Sequence, residues 1–154
     1  GAHYIDPEIE VLKAYTNSFA DPAKGKETAL VQIEAGSDVV YQIAGGTGEG
    51  VFEAVNEKNV FAVGVDSDQD YIVEGKILTS MMKRMDMAMF TLAEKLQDGT
   101  INDANVIELG LGEGTQLSPM NYTKELLKPE YLEKLDEVTN KIINGEIVVT
   151  DVSK

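Results

Sequence analysis

Three short stretches of the chain carry residue types that a packed core does not call for: Ala44-Gly45-Gly46-Thr47-Gly48-Glu49-Gly50, Gly64-Val65-Asp66-Ser67-Asp68-Gln69 and Leu78-Thr79-Ser80-Met81-Met82-Lys83-Arg84. A glycine turn lets a ligand come close to the backbone. A carboxylate can accept two hydrogen bonds from vicinal hydroxyls, and a neighbouring ammonium keeps that carboxylate ionised and donates to the same hydroxyls. Each stretch follows an apolar run that reads as a buried parallel strand, over residues 38–43, 60–65 and 77–82. Ligands of open α/β sheets bind just beyond the carboxyl ends of the strands. The glycine turn, Asp66 and Lys83 are therefore expected along one edge, as a ligand cleft.

Other chemistries fit these residues less well. A phosphate-binding P-loop needs Gly-Lys followed by Ser or Thr, but Gly48 is followed by Glu49. The dinucleotide fingerprint fails at its last interval (Gly46, Gly48, Gly50), and Glu49 would repel a pyrophosphate. That leaves a close approach to a neutral ligand, or a tight strand-to-helix turn with no ligand. A calcium loop starting at Asp66 would need Gly and Glu where Tyr71 and Ile77 stand, so calcium is not expected. Asp66 directly follows its strand and is the acid best placed for a ribose, whereas Asp68 and Asp70 read as solvated loop acids. Lys83 ends a strand in step with Asp66; its other reading is a surface cation paired with any nearby acid. Phe19 could stack on a base or pack as a hydrophobic staple on its own helix, and both remain open. Met82, Met85 and Met89 recur at helical spacing and read as core filling rather than a metal site. Glu130, Glu133, Asp136 and Glu137 read as a solvated helix face, and His3 as a solvent-exposed terminal residue.

The elements that must position these groups alternate between strand and helix patterns. Strands are expected at 9–15, 39–43, 60–65, 77–82, 105–111 and 146–150. Asp21 and Pro22 open a helix to about residue 35, stopped at Gly36; others are expected at 47–57, 85–97 and 129–144. Gly112-Glu113-Gly114 is expected to turn, and 111–128 otherwise gives no clear pattern. The alternation predicts an α/β fold, a three-layer mostly parallel sheet with helices on both faces, over one domain spanning 1–154.

Composition narrows the partners. A net charge of −14 argues against nucleic acid and against direct docking on an anionic lipid surface. With no Cys there is neither a disulfide nor a thiolate metal site, and no cofactor is implied. No nucleophile stands beside a base, since His3 is the only histidine, so an enzyme is disfavoured. Gly1-Ala2-His3-Tyr4 does not resemble a signal peptide.

Taken in order, the three stretches resemble the AGGTGxGVF, GVDSDQ and LTSxxKR segments of the basic membrane protein family of ABC-transporter substrate-binding proteins, which includes purine-nucleoside receptors. The resemblance extends upstream to Ser18-Phe19-Ala20-Asp21-Pro22-Ala23-Lys24-Gly25-Lys26 and downstream to 142–148. It implies two lobes of the type I periplasmic-binding-protein kind that close over a purine nucleoside and serve a membrane permease. Carried over by position, the aromatic that stacks on the base is Phe19, the glycine-turn contact is Gly46, and the ribose ligands are Asp66 and Lys83. The family's first lobe has no counterpart upstream of Gly1. The resemblance thus implies a second-lobe piece, with about 77–128 belonging partly to the first lobe of the full-length protein. Such a piece is expected to carry half a binding site and to self-associate. The family is extracytoplasmic, either periplasmic or a membrane-anchored lipoprotein, with signal and anchor outside this chain. Two other classes compete. A phosphoacceptor receiver domain needs paired acids after its first strand, where Ala14-Tyr15-Thr16-Asn17 has none. A sugar- or nucleoside-responsive transcriptional regulator needs a basic helix-turn-helix, which this acidic chain lacks.

Overall fold

After one helical turn, α1 (Ala2–Ile5), the first long helix begins where its capping residues require. The Asp21 side chain accepts a hydrogen bond from the Lys24 amide at 3.1 Å, and Pro22 sits in the first turn, where a missing N–H costs nothing. In the computed structural model, which describes residues 1–101 and 107–150, α2 spans Pro22–Glu34 and gives way to Gly36 at φ 106°. Strand β1 (Val39–Tyr41) follows, then a 3-10 turn at Gly45–Thr47 leading into α3 (Gly48–Lys58). Next come β2 (Phe61–Asp66), β3 (Ile77–Lys83), α4 (Met85–Gln97), β4 (Thr115–Leu117) and α5 (Pro129–Ile143).

The four strands form one sheet in the order β1-β2-β3-β4. The first two pairings are parallel and the last is antiparallel, so the expected mostly parallel α/β sheet is what forms. Side chains alternate across it as strand geometry requires. Val40, Ala62 and Ile77 are buried with Ala29 of α2 and with Val51, Phe52, Ala54 and Val55 of α3. Two glycines let the helices approach this closely: a Cβ on Gly25 would overlap the Thr47 carbonyl, and one on Gly50 would overlap the Pro22 carbonyl. On the opposite face of the sheet Val39 and Tyr41 are exposed.

Four expectations need correction. Residues 9–15 form no strand; Ile9, Val11, Leu12 and Tyr15 are exposed, and a cavity of about 660 Å³ separates 12–19 from Val40–Ala44. A strand is defined by a neighbour's ladder, and here the open edge of β1 lies across that cavity. The expected strand at 105–111 lies partly outside the described residues; its described part contributes one isolated bridge, from Leu111 to Thr115. Residues 146–150 form no strand either. Gly145, at φ 75°, turns the chain back so that the Glu146 amide bonds to the Lys141 carbonyl (2.9 Å) and the Gly145 amide to the Ile142 carbonyl (3.0 Å), a Schellman closure of α5. Finally, Met85 and Met89 do not fill a core. They are exposed on α4 with Phe90 and Leu96, and Met82 is only half-buried. Among the described residues nothing covers that apolar face of α4.

The contrast between α3 and α4 gives a stability test. Gly50→Ala should destabilise the chain by about 1–3 kcal/mol, the usual cost of overpacking, because its methyl meets main chain rather than a movable side chain. Met89→Ala should stay within about 0.5 kcal/mol, as surface changes do. Urea unfolding followed by circular dichroism checks both.

Candidate functional site

Strands β2 and β3 end side by side. Asp66 pairs in register with Met82, so Lys83 stands one residue beyond it on the neighbouring strand. The Lys83 Nζ lies 2.7 Å from the Asp66 Oδ1. Both side chains remain about half exposed, at 55% for Lys83 and 50% for Asp66. An ion pair this accessible contributes little to stability. The hydrogen bond to Asp66, and secondarily its charge, raise the Lys83 ammonium above its ordinary pKa, so Lys83 stays charged well past neutrality.

Asp66 holds a conformation few non-glycine residues adopt. Its φ is 71°, and the Ser67 amide folds back to the Val65 carbonyl at 2.9 Å, closing a three-residue turn around it. Such backbone strain persists only where surroundings over-determine it. Directly beneath the turn, the Gln69 Oε1 accepts from the Val65 amide (2.8 Å) and from the Gln42 Nε2 (2.9 Å). The Gln69 amide donates to the Ser80 Oγ at 3.1 Å. Ser80 and Ser118 in turn donate to the two oxygens of the Asp70 carboxylate, at 2.7 and 2.6 Å. Asp70 is thus no solvated acid; it is 1% exposed, paired with hydroxyls in place of water. Asp68 is half-buried, and its carboxylate accepts from the Asp70 amide at 3.0 Å.

The glycine turn after β1 is fastened to the segment carrying Phe19. Buried Thr47 donates its amide to the Phe19 carbonyl (3.2 Å) and its hydroxyl to the Ser18 carbonyl (3.0 Å), and accepts from the Asp21 amide (2.9 Å). Gly45 takes φ 55°, and a Cβ on Gly46 would lie 3.2 Å from the Phe19 carbonyl oxygen. The Phe19 ring is 76% exposed, so it does not pack as a staple on α2. Gln42, buried behind the turn, accepts from the Ala44 amide at 3.1 Å.

Two contacting groups therefore emerge, Asp66 with Lys83 and Phe19 with the glycine turn, both on the carboxyl side of the parallel strands. Tyr41, at the end of β1, joins the first group. Burial raises its phenol above the ordinary value, the Asp66 charge adds to that, and Lys83 opposes it. Sequence reasoning missed Tyr41, Gln42, Thr47, Gln69, Asp70, Ser80 and Ser118. Polar residues at inward positions of otherwise apolar runs, such as Ser80 in β3, were the available signal. Among the described residues no three acidic or imidazole side chains converge as a metal site would require, and no helix is long and apolar enough to cross a membrane.

Comparison with known proteins places the chain as a whole. Basic membrane protein D of Borreliella burgdorferi is 33% identical over 155 residues, covering 97% of this chain and 45% of that protein. The ABC transporter nucleoside-binding protein BmpA of Lactococcus lactis is 34% identical over 167 residues, covering 97% and 46%. The chain thus spans less than half the length of these relatives. Among solved structures, an ABC transporter solute-binding protein from Aeropyrum pernix superimposes with a TM-score of 0.76 at 26% identity, over 98% of this chain and 51% of that one. A transcriptional activator of the comK gene from Bacillus halodurans gives 0.83 over 97% and 52%, but at 23% identity it shows the fold alone. The profile described as ABC transporter substrate-binding protein, PnrA-like, matches residues 1–153, and the chain belongs to that family.

Proposed function

We propose that this chain forms one half of the ligand cleft in the substrate-binding component of an ABC importer, and that the ligand is a nucleoside, in first place a purine nucleoside. The observation that carries the proposal is the Lys83–Asp66 pair, in contact at 2.7 Å yet half open to solvent at the carboxyl edge. A carboxylate so placed can accept from both hydroxyls of a ribose while the ammonium donates to one of their oxygens. Phe19, exposed and anchored through its main chain, offers a face for the base. Gly46, whose missing side chain lets the turn lie close to the Phe19 carbonyl, would offer its main chain to the ligand. No bond is made or broken in this scheme; the site binds, orients and releases. The name of the Lactococcus lactis relative supports a nucleoside. A receiver domain is not favoured, because the segment before α2 lacks the acids a phosphoacceptor site requires.

The same proposal extends to the rest of the protein. The chain's share of its relatives' length, the uncovered apolar face of α4 and the cavity along the open edge of β1 support a second lobe of a two-lobed binding protein. About 77–128 would then contribute partly to the first lobe. The partner is a membrane permease, and the setting is extracytoplasmic, with a lipid anchor or periplasmic.

Three outcomes test this. In the two-lobed protein, Asp66→Ala should weaken nucleoside binding by about 1.5–3 kcal/mol, the range for hydrogen bonds to a charged group. Unchanged titration calorimetry would remove Asp66 from the site. Phe19→Ala should cost about 1–3 kcal/mol of binding, with Trp and Tyr tolerated, and should leave the melting temperature in place because the ring is already exposed. A fall in melting temperature with affinity intact would contradict the stacking role. The 154-residue chain by itself should bind far more weakly than the two-lobed protein and should self-associate through its uncovered apolar faces. A strictly monomeric species in sedimentation velocity, binding a purine nucleoside at micromolar affinity or better, would overturn the one-lobe reading.

A further inference from the structure

We infer that Asp70 is a positioning residue whose buried carboxylate, gripped by the hydroxyls of Ser80 and Ser118, holds the left-handed turn that aims Asp66 at Lys83. The inference rests on the diol-binding reading of Asp66 only for its consequence in binding; the turn itself is a matter of geometry. A buried carboxylate without a cation is a costly way to close a loop. Yet among the described residues Asp70 has no cationic partner: its oxygens are met by Ser80 at 2.7 Å and Ser118 at 2.6 Å, the short range of hydroxyl donors to a carboxylate.

These bonds gather three separate pieces of chain under the turn. Ser118 follows β4, and its hydroxyl also accepts from the Ser80 amide at 2.8 Å. Ser80 belongs to β3 and accepts from the Gln69 amide while donating to Asp70. Gln69 then reaches up to the Val65 amide, the residue immediately before Asp66. On its other side Asp66 is closed by the Ser67 amide on the Val65 carbonyl. Asp66 thus sits between clamped neighbours, at a φ of 71° that a free loop would abandon. Gly64 supplies an independent indication: a side chain there would strike the Ser80 Oγ and the Gln69 Oε1, so β2 keeps its inward space for this assembly. Without the carboxylate, the two hydroxyls lose their common acceptor, the loop loosens, and Asp66 relaxes away from Lys83.

The test uses Asp70→Asn and Ser118→Ala, with Thr123→Val as control. Thr123 is equally buried and donates to the Leu78 carbonyl at 2.6 Å, but it does not join the assembly beneath Asp66. In ligand-free chain, the amide-to-Hα coupling and intraresidue Overhauser contact of Asp66 report its φ. The left-handed signature should be present in wild type and Thr123→Val and lost in Asp70→Asn and Ser118→Ala. Nucleoside titrations by NMR then compare adenosine with 2′,3′-dideoxyadenosine. Wild type and Thr123→Val should prefer the ribose form on the order of tenfold or more, and the two positioning variants should lose most of that preference. An Asp66 signature that survives both Asp70→Asn and Ser118→Ala overturns the inference, whatever the melting temperatures do. Wild type with no ribose preference would instead overturn the diol reading, while the Asp66 signature would still decide the role of Asp70. Should Asp70→Asn not fold, Ser118→Ala and its conservative counterpart Ser118→Thr carry the test, with Thr expected to restore the signature.

Discussion

Everything at the candidate site depends on the parallel pairing of β2 with β3. Because both strands run the same way and Asp66 falls opposite Met82, their last side chains arrive together at one edge. An antiparallel pairing would have sent the two ends to opposite sides of the sheet. The parallel pair in turn demands a crossover, which residues 67–76 make without a helix, and a covered face, which α2, α3 and the close approach at Gly25 and Gly50 provide. The same rule delivers the turn after β1, so the Phe19 segment it anchors reaches that edge as well.

The edge combines an exposed ion pair with a buried polar support, and the two have different purposes. The Lys83–Asp66 pair stays half in water, where ion pairs stabilise folds only slightly. Its placement therefore makes better sense as preparation for a ligand than as a structural brace. The support beneath it is the reverse: Gln42, Asp70, Ser80 and Ser118 are nearly inaccessible, and each finds hydrogen-bond partners. Satisfied buried polar groups fix geometry, since any other arrangement would leave one unpaired.

Much of this was legible in the sequence, for identifiable reasons. Asp21 and Pro22 announce α2, apolar runs ending in charge announce β2 and β3, and the spacing of Asp66 and Lys83 follows from where those runs stop. What was not legible depends on partners or burial. Residues 9–15 alternate like a strand, but a strand exists only beside a ladder it can bond to, and the open edge of β1 lies across a cavity from this segment. The three-residue β4 carries too short a pattern to stand out, and exists through its pairing with Met81, Met82 and Lys83. Residues 146–150 are β-rich in type, yet the closure at Gly145 governs how the chain leaves α5. Asp70 looks like its neighbour Asp68 in sequence; only the packing of Ser80 and Ser118 over it tells the two apart. Phe19 was ambiguous between staple and platform until its exposure decided against the staple.

The central claim is that Asp66 and Lys83 together form a diol-binding pair. The most direct measurement follows the carboxyl carbon of Asp66 and the side-chain nitrogen of Lys83 by NMR while a purine nucleoside is added to the two-lobed protein. Both resonances should shift together and saturate with ribose-bearing nucleoside, and barely move with its 2′,3′-dideoxy counterpart. A nucleoside that saturates the protein while leaving both resonances in place would contradict the account.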